Sequence, residues 1–137
     1  LYNYSSVSVS YDIAAASQSL GLSTAQLKAT KCSSSANPGF VGINSNNSSM
    51  TYTTTTSTSS STVFGHWFNA SGNVCNYDGN ARIYAEFTPA DFKCKVGQYP
   101  GKLTKGKTYT IRQGIRYKPQ GATKYYRCTY QVNVKVI

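Results

Sequence analysis

Two stretches near the end of the chain, KTYTIRQGIRYK at residues 107–118 and TKYYRCTYQVNVKVI at 123–137, alternate apolar and polar side chains. A period of two is typical of strands that bury one face and expose the other. Between the two stretches, the residues KPQG at 118–121 place Pro and Gly where a type I turn favours them. The sequence therefore predicts an antiparallel hairpin, in which Ile111 lies opposite Tyr130.

The two faces of this hairpin differ in chemistry. Most of its inward positions are apolar or aromatic, and its outward positions are mostly polar, several of them basic. Lysine and arginine neutralise an anionic polymer, arginine binds carboxylate, sulfate or phosphate through two hydrogen bonds, and tyrosine stacks on sugars or bases. We therefore predict a ligand-binding face that consists of Arg112, Arg116, Lys118, Tyr125, Arg127 and Lys135.

Positive charge is concentrated in the second half of the chain. Residues 69–137 carry +9 of the formal net charge of +10, and residues 1–68 carry the remaining +1. Asp91 is the last acid, and eleven lysines and arginines follow it. Like charges in a compact fold repel one another, so this excess favours a site for an anionic partner. A basic surface that is merely solvated is the alternative interpretation.

The remainder of the chain is also predicted to be mostly β. The segment Leu1–Ile13 alternates, with Val7, Val9 and Tyr11 on one side, and predicts an N-terminal strand. A capping box at Ser23-Thr-Ala-Gln26 predicts one short helix near residues 23–30. Further strands are predicted in four segments, at Phe40–Ile43, Val63–Phe68, 81–87 and Phe92–Val96.

These strands and their intervening turns indicate an antiparallel β-sandwich or open barrel, with an immunoglobulin-like arrangement as one option. The length of 137 residues fits a single domain over residues 1–137. The Ser/Thr-rich run Thr51–Thr62 resembles a linker in composition, but threonine also favours strands. We predict an ordered strand pair there, and hence no domain boundary.

Four cysteines, Cys32, Cys75, Cys94 and Cys128, are predicted to form two disulfides. No C-x-x-C pair suggests zinc, and four free thiols are the alternative. Only 13% of the residues are charged, against about 25% in typical soluble domains. The chain starts at Leu1, has no stretch of about 20 apolar residues, and is predicted to be a secreted or cell-surface protein.

The sequence predicts no catalytic site, metal site or cofactor. Its proton carriers are one histidine, His66, within an aromatic stretch, and four acids. None of the familiar hydrolase, zinc-protease or phosphate-loop motifs occurs. A small basic nuclease that combines His66, Arg82 and Glu86 is the one enzymatic alternative.

We therefore expect a non-catalytic extracellular protein that binds an anionic or carbohydrate polymer. Candidate partners are anionic polysaccharides, other cell-envelope polymers and lipid headgroups, with nucleic acid as a weaker alternative. The main rival function is a structural subunit of a filament or coat. In that case Leu1–Ile13 would pair with the sheet of a neighbouring copy instead of its own.

Overall fold

The structure is a computed structural model that describes residues 6–32, 39–44, 58–59, 62–98, 102–118, 123 and 126–137. This part of the chain is mostly β, as predicted, and contains two short helices, α1 (Ile13–Leu20) and α2 (Thr24–Ala29). The strands are β1 (Ser6–Ser10), β2 (Gly39–Asn44), β3 (Thr58–Ser59), β4 (Phe64–Phe68), β5 (Val74–Cys75), β6 (Ile83–Thr88), β7 (Lys93–Gln98), β8 (Thr108–Lys118) and β9 (Tyr126–Lys135).

The strands form two antiparallel sheets. Sheet A has the order β1-β7-β6-β4-β3, with β5 also paired to β4, and sheet B has the order β2-β8-β9. Buried residues of both sheets contribute to one core, for example Phe64 and Phe87 from sheet A with Ile111 and Val132 from sheet B. Of the predicted Ser/Thr-rich strand pair, only β3 and Thr62 lie within the described residues.

The predicted hairpin is confirmed in its faces and wrong in its register. β8 and β9 pair as antiparallel neighbours, but Ile111 lies opposite Val132 and not opposite Tyr130. A shift by two residues keeps every side chain on its face, so the apolar pattern does not distinguish the two registers. β8 extends as far as Lys118, where it also pairs with β2, and the rest of the predicted turn at 118–121 lies outside the described residues.

The N-terminal strand β1 ends at Ser10, three residues before the predicted end at Ile13, because a helix follows it closely. Asp12 is the N-cap of α1, and its Oδ1 accepts a hydrogen bond from the backbone N–H of Ala15 at 3.1 Å. The sequence analysis did not predict α1. It did predict α2, where Ser23 and Gln26 form the expected capping box, with backbone-to-side-chain distances of 2.8 and 3.2 Å.

Tyr11 joins the two sheets. Its ring stacks on Tyr130 of sheet B, with centroids 4.0 Å apart, and lies 5.7 Å from the ring of Phe87 of sheet A. Its hydroxyl donates a 2.6 Å hydrogen bond to Oε1 of Gln113, which is completely buried on the inward face of β8. Burial holds the pKa of the Tyr11 hydroxyl well above its ordinary value, so the hydroxyl keeps its proton and donates at any physiological pH.

The predicted disulfides are wrong, because all four cysteines are free thiols. Cys94 lies on β7 in sheet A and Cys128 lies on β9 in sheet B. The two cysteines therefore belong to different sheets. The strand positions opposite Cys94 are Val9 and Phe87, and the position opposite Cys128 is Ile115, so neither of these cysteines pairs with another cysteine within its own sheet. A disulfide needs Cα atoms within about 7 Å.

The Tyr11–Gln113 contact predicts a non-additive stability effect. The Tyr11→Phe substitution removes the only partner that the structure shows for the buried amide oxygen of Gln113. We expect the free energy of unfolding, measured in urea, to fall by about 1–3 kcal/mol. The double variant Tyr11→Phe, Gln113→Leu leaves neither group unpaired and should regain most of that loss. A double variant as unstable as the sum of its singles would contradict this account.

The free thiols predict how the protein responds to reductant and to alkylation. Burial raises the pKa of Cys94 and Cys128 to about 11 and that of Cys32 to about 12. Only the thiolate reacts readily, so these three should be alkylated only after unfolding, while the half-buried Cys75 reacts slowly in the native protein. Dithiothreitol should leave the melting temperature unchanged. A mass smaller by two or four hydrogens in the untreated protein would show disulfides instead.

Candidate functional site

The outward face of sheet B carries the side chains that the sequence analysis assigned to ligand binding. Arg112, Gln131 and Asn133 are exposed on this face and hydrogen-bonded to one another. Arg112 Nε donates to Gln131 Oε1 at 3.2 Å, and Gln131 Nε2 donates to Asn133 Oδ1 at 3.4 Å. The Thr110 hydroxyl also donates to Asn133 Oδ1, at 2.9 Å. This ladder orients the guanidinium of Arg112 along the sheet surface.

The backbone register brings the other arginines to the same end of the hairpin. Arg116 on β8 lies directly opposite Arg127 on β9, and strand alternation assigns both positions to the face of Arg112. Lys118 lies two residues further along β8, opposite Gly39 of β2. The strands of sheet B contain no aspartate or glutamate. Tyr125, the aromatic member of the predicted site, lies outside the described residues.

Lys135 does not belong to this group. It pairs with Thr108 at the opposite end of the hairpin, eight residues from Arg127 and hence about 26 Å away at about 3.3 Å per residue. There it lines a shallow groove together with Val7 and Val9 of β1. The structure therefore brings together the positions of Arg112, Arg116, Lys118 and Arg127, and separates Lys135 from them.

The three residues of the nuclease alternative do not converge. His66 is completely buried on the inward face of β4, opposite Ala85 of β6. Glu86 follows Ala85 in the strand and so lies on the outward face. Arg82 donates to the backbone oxygens of Gly79 and Ala81. His66 and Glu86 therefore lie on opposite sides of sheet A, and the three residues do not form one acid–base site.

His66 belongs to the core, and this environment suppresses its protonation. Its ring contacts Phe64 and Phe68 edge-on, at centroid distances of 5.7 and 6.4 Å. Neither ring nitrogen has a hydrogen-bond partner among the described residues. Burial lowers the pKa of His66 to about 4.

A second surface group was missed by the sequence analysis. Trp67 on β4 lies between Tyr77 and Tyr84, at centroid distances of 4.9 and 5.2 Å, on the outward face of sheet A. The Tyr84 hydroxyl donates to Glu86 Oε2 at 2.8 Å. The sequence does place Tyr84 and Glu86 on the same face of the alternating segment 81–87. It does not show that Trp67 lies beside them, because this depends on the pairing of β6 with β4.

Two further observations bear on the class of protein. The described His, Cys, Asp and Glu side chains form no group of three or more that could hold a metal ion. Within the same ranges, no helix is long and apolar enough to cross a membrane.

The N-terminal strand β1 pairs with β7 of its own sheet over five residues, Ser6–Ser10.

The buried histidine predicts a loss of stability in mild acid. The unfolded chain takes up a proton on His66 near pH 6.5, whereas the folded protein does so only near pH 4. Stability is therefore retained above pH 6.5 and should fall by about 1.4 kcal/mol per unit below it, roughly 3 kcal/mol in all by pH 4. His66→Leu should flatten this slope in urea denaturation measured from pH 7 to pH 4. An unchanged slope in the variant would assign the acid sensitivity to other groups.

Comparison with known proteins gives a family but no function. No curated protein and no solved structure shows detectable similarity to the chain. One family model, described as a domain of unknown function (DUF4859), matches residues 3–123. Because this match covers most of the 137 residues, the chain belongs to the DUF4859 family.

Proposed function

We propose that the protein is a non-catalytic binding protein that holds an anionic polymer on the outward face of sheet B. The observation that carries this proposal is the register of β8 with β9, which sets Arg116 opposite Arg127 on the face of Arg112. Like charges directly opposite each other destabilise a sheet. An anion bound between the two positions would attract both arginines and offset their mutual repulsion.

The composition of the face supports an anionic partner over a neutral one. Sheet B contains no carboxylate that could neutralise its arginines internally. A guanidinium presents five N–H donors in a planar fork, which fits carboxylate, sulfate and phosphate groups. Arg112 uses its Nε to bind Gln131, and this contact sets the direction of the fork.

The shape of the face supports a polymer over a small molecule. The positions of Arg112 and Arg116 are four residues apart on one strand, about 13 Å at about 3.3 Å per residue. Small ligands bind in concave pockets, whereas this face is the outer surface of a three-stranded sheet. We propose an acidic polysaccharide or another anionic cell-envelope polymer as the partner class. Anionic lipid headgroups and nucleic acid share the same charge and are further candidates.

The proposed location is extracellular. The low content of charged residues supports it, while the free cysteines remove the redox argument for an oxidising compartment.

We also infer that the two sheets pack as a β-sandwich, because Tyr11 contacts both and residues from both share one core. A filament or coat subunit is the alternative function, and it has less support because β1 already pairs with β7.

Binding is tested with the triple variant Arg112→Ser, Arg116→Ser, Arg127→Ser on a heparin column. The wild-type protein should be retained at low salt and released as salt screens the contacts. In the variant, the slope of log affinity against log salt concentration should decrease by roughly 2–3, one ion for each lost contact. Its melting temperature should be unchanged or slightly higher, because the variant lacks the Arg116–Arg127 repulsion.

A matched control separates a local site from net charge. The variant Lys28→Ser, Lys31→Ser, Lys105→Ser removes three exposed bases outside sheet B and has the same formal charge as the arginine variant. If the face of sheet B is the site, this control elutes close to the wild-type protein. Equal weakening of both variants would mean that the polyanion senses only overall charge, and this would contradict the proposal.

A further inference from the structure

The outward face of sheet A bears a row of aromatic side chains that runs across its strands. Trp67 on β4 is opposite Tyr84 on β6, and Tyr77 follows β5 on the other side of Trp67. The rings are tilted by 50° and 45° to one another and form one continuous aromatic surface. Tyr77 is the most exposed of the three, with 62% of its surface in contact with solvent.

The sheet positions beside this row carry small or hydrogen-bonding residues. Tyr84 lies opposite Gly97 of β7, which in turn lies opposite Ser6 of β1. Beyond the aromatic row, the outward surface of the sheet therefore carries only small side chains at Gly97 and Ser6. In the neighbouring row, Glu86 accepts a hydrogen bond from the Tyr84 hydroxyl, and Lys95 lies opposite Glu86.

Gly65 explains why the Tyr84 ring lies flat against the sheet. A Cβ atom at Gly65 would overlap the hydroxyl and the ring of Tyr84. The absence of a side chain at position 65 thus gives the ring its place beside Trp67. The carboxylate of Glu86 then fixes the phenol end of the ring, so that two separate contacts hold Tyr84 within the aromatic surface.

Charges around this surface are balanced, in contrast to sheet B. Glu86 has Lys95 opposite it, and Asp78 and Arg82 lie close enough to Cys75, the β5 partner of Trp67, to act on its thiol with opposite effects. Two acids and two bases therefore lie close to the three rings, and a third base, Lys93, lies one outward row further along β7. Carboxylates beside the rings repel phosphate and sulfate, which disfavours a polyanion on this face.

From this arrangement we propose that the outward face of sheet A is a second binding site, which takes an uncharged carbohydrate chain. The aromatic rings stack on the apolar faces of the sugar rings, and Glu86 accepts hydrogen bonds from sugar hydroxyls. Aromatic side chains with a polar end suit ligands that are partly apolar and partly wet. The site is independent of the anionic face, because the two lie on the outward sides of different sheets.

The size of the patch favours this ligand over a protein partner. A stable protein interface buries about 800 Å² on each side and has an apolar centre. The described outward positions of β6, β7 and β1 beside the rings are Glu86, Thr88, Lys93, Lys95, Gly97, Ser6, Ser8 and Ser10, none of them aliphatic. Three partly exposed aromatic side chains with polar surroundings provide much less apolar area than such an interface needs.

The test uses soluble neutral polysaccharides as probes, namely a β-glucan, a galactomannan, an arabinoxylan and starch, in affinity electrophoresis. At least one should retard the wild-type protein. The Tyr77→Ala variant should weaken that binding at least about fivefold, and Tyr77→Phe should not. Trp67 is the only tryptophan in the chain, so its fluorescence should shift on titration with the polysaccharide that binds.

The controls separate this proposal from the anionic face. Val7→Ala removes apolar surface that is 49% exposed on a different face and should leave neutral polysaccharide binding unchanged. The arginine triple variant should also retain it, while Tyr77→Ala should retain heparin binding. Failure of all four polysaccharides to bind, or wild-type binding by Tyr77→Ala, would overturn the neutral site without affecting the anionic one. If the wild-type protein bound a neutral polysaccharide but not heparin, the anionic site would be overturned and the neutral site would stand.

Discussion

The contacts of Tyr11 are the constraint on which the arrangement of this protein depends. The residue lies between β1 and the N-cap of α1, so the chain path fixes its backbone. Its ring stacks on one aromatic residue from each sheet, and its hydroxyl is bonded to the buried Gln113. A buried amide without partners is costly, so the two sheets are held in the one relative position that satisfies this bond.

The fixed arrangement of the sheets gives the protein two outward faces with different chemistry. Sheet B presents arginines without any carboxylate on its strands, whereas sheet A presents three aromatic rings within balanced charges. These faces suit different partners, an anionic polymer on one and an uncharged glycan on the other. A protein with both proposed sites would connect two different polymers.

The core is unusual in the groups that it leaves neutral. His66, Cys32 and Cys94 are buried and Cys128 is partly buried, and burial shifts the pKa of each in the direction that keeps it uncharged. This explains why residues that resemble catalytic or cross-linking groups in the sequence act as ordinary core side chains. An even number of cysteines indicates disulfides only when the fold brings pairs of them together, and here Cys94 and Cys128 lie on strands of different sheets.

Local patterns were sufficient for the longer strands, for helix α2 and for the division of β8 and β9 into inward and outward faces, because these depend on neighbours in sequence. Period-two alternation assigns a face but not a register, so the pairing of Arg116 with Arg127 required the neighbouring strands. The same limit applies to the surface formed by Trp67, Tyr77 and Tyr84, whose members come from different strands and loops. Contacts between distant segments depend on how the sheets pair and pack. For this reason the free state of the cysteines, the hairpin register and the aromatic face became clear only in three dimensions.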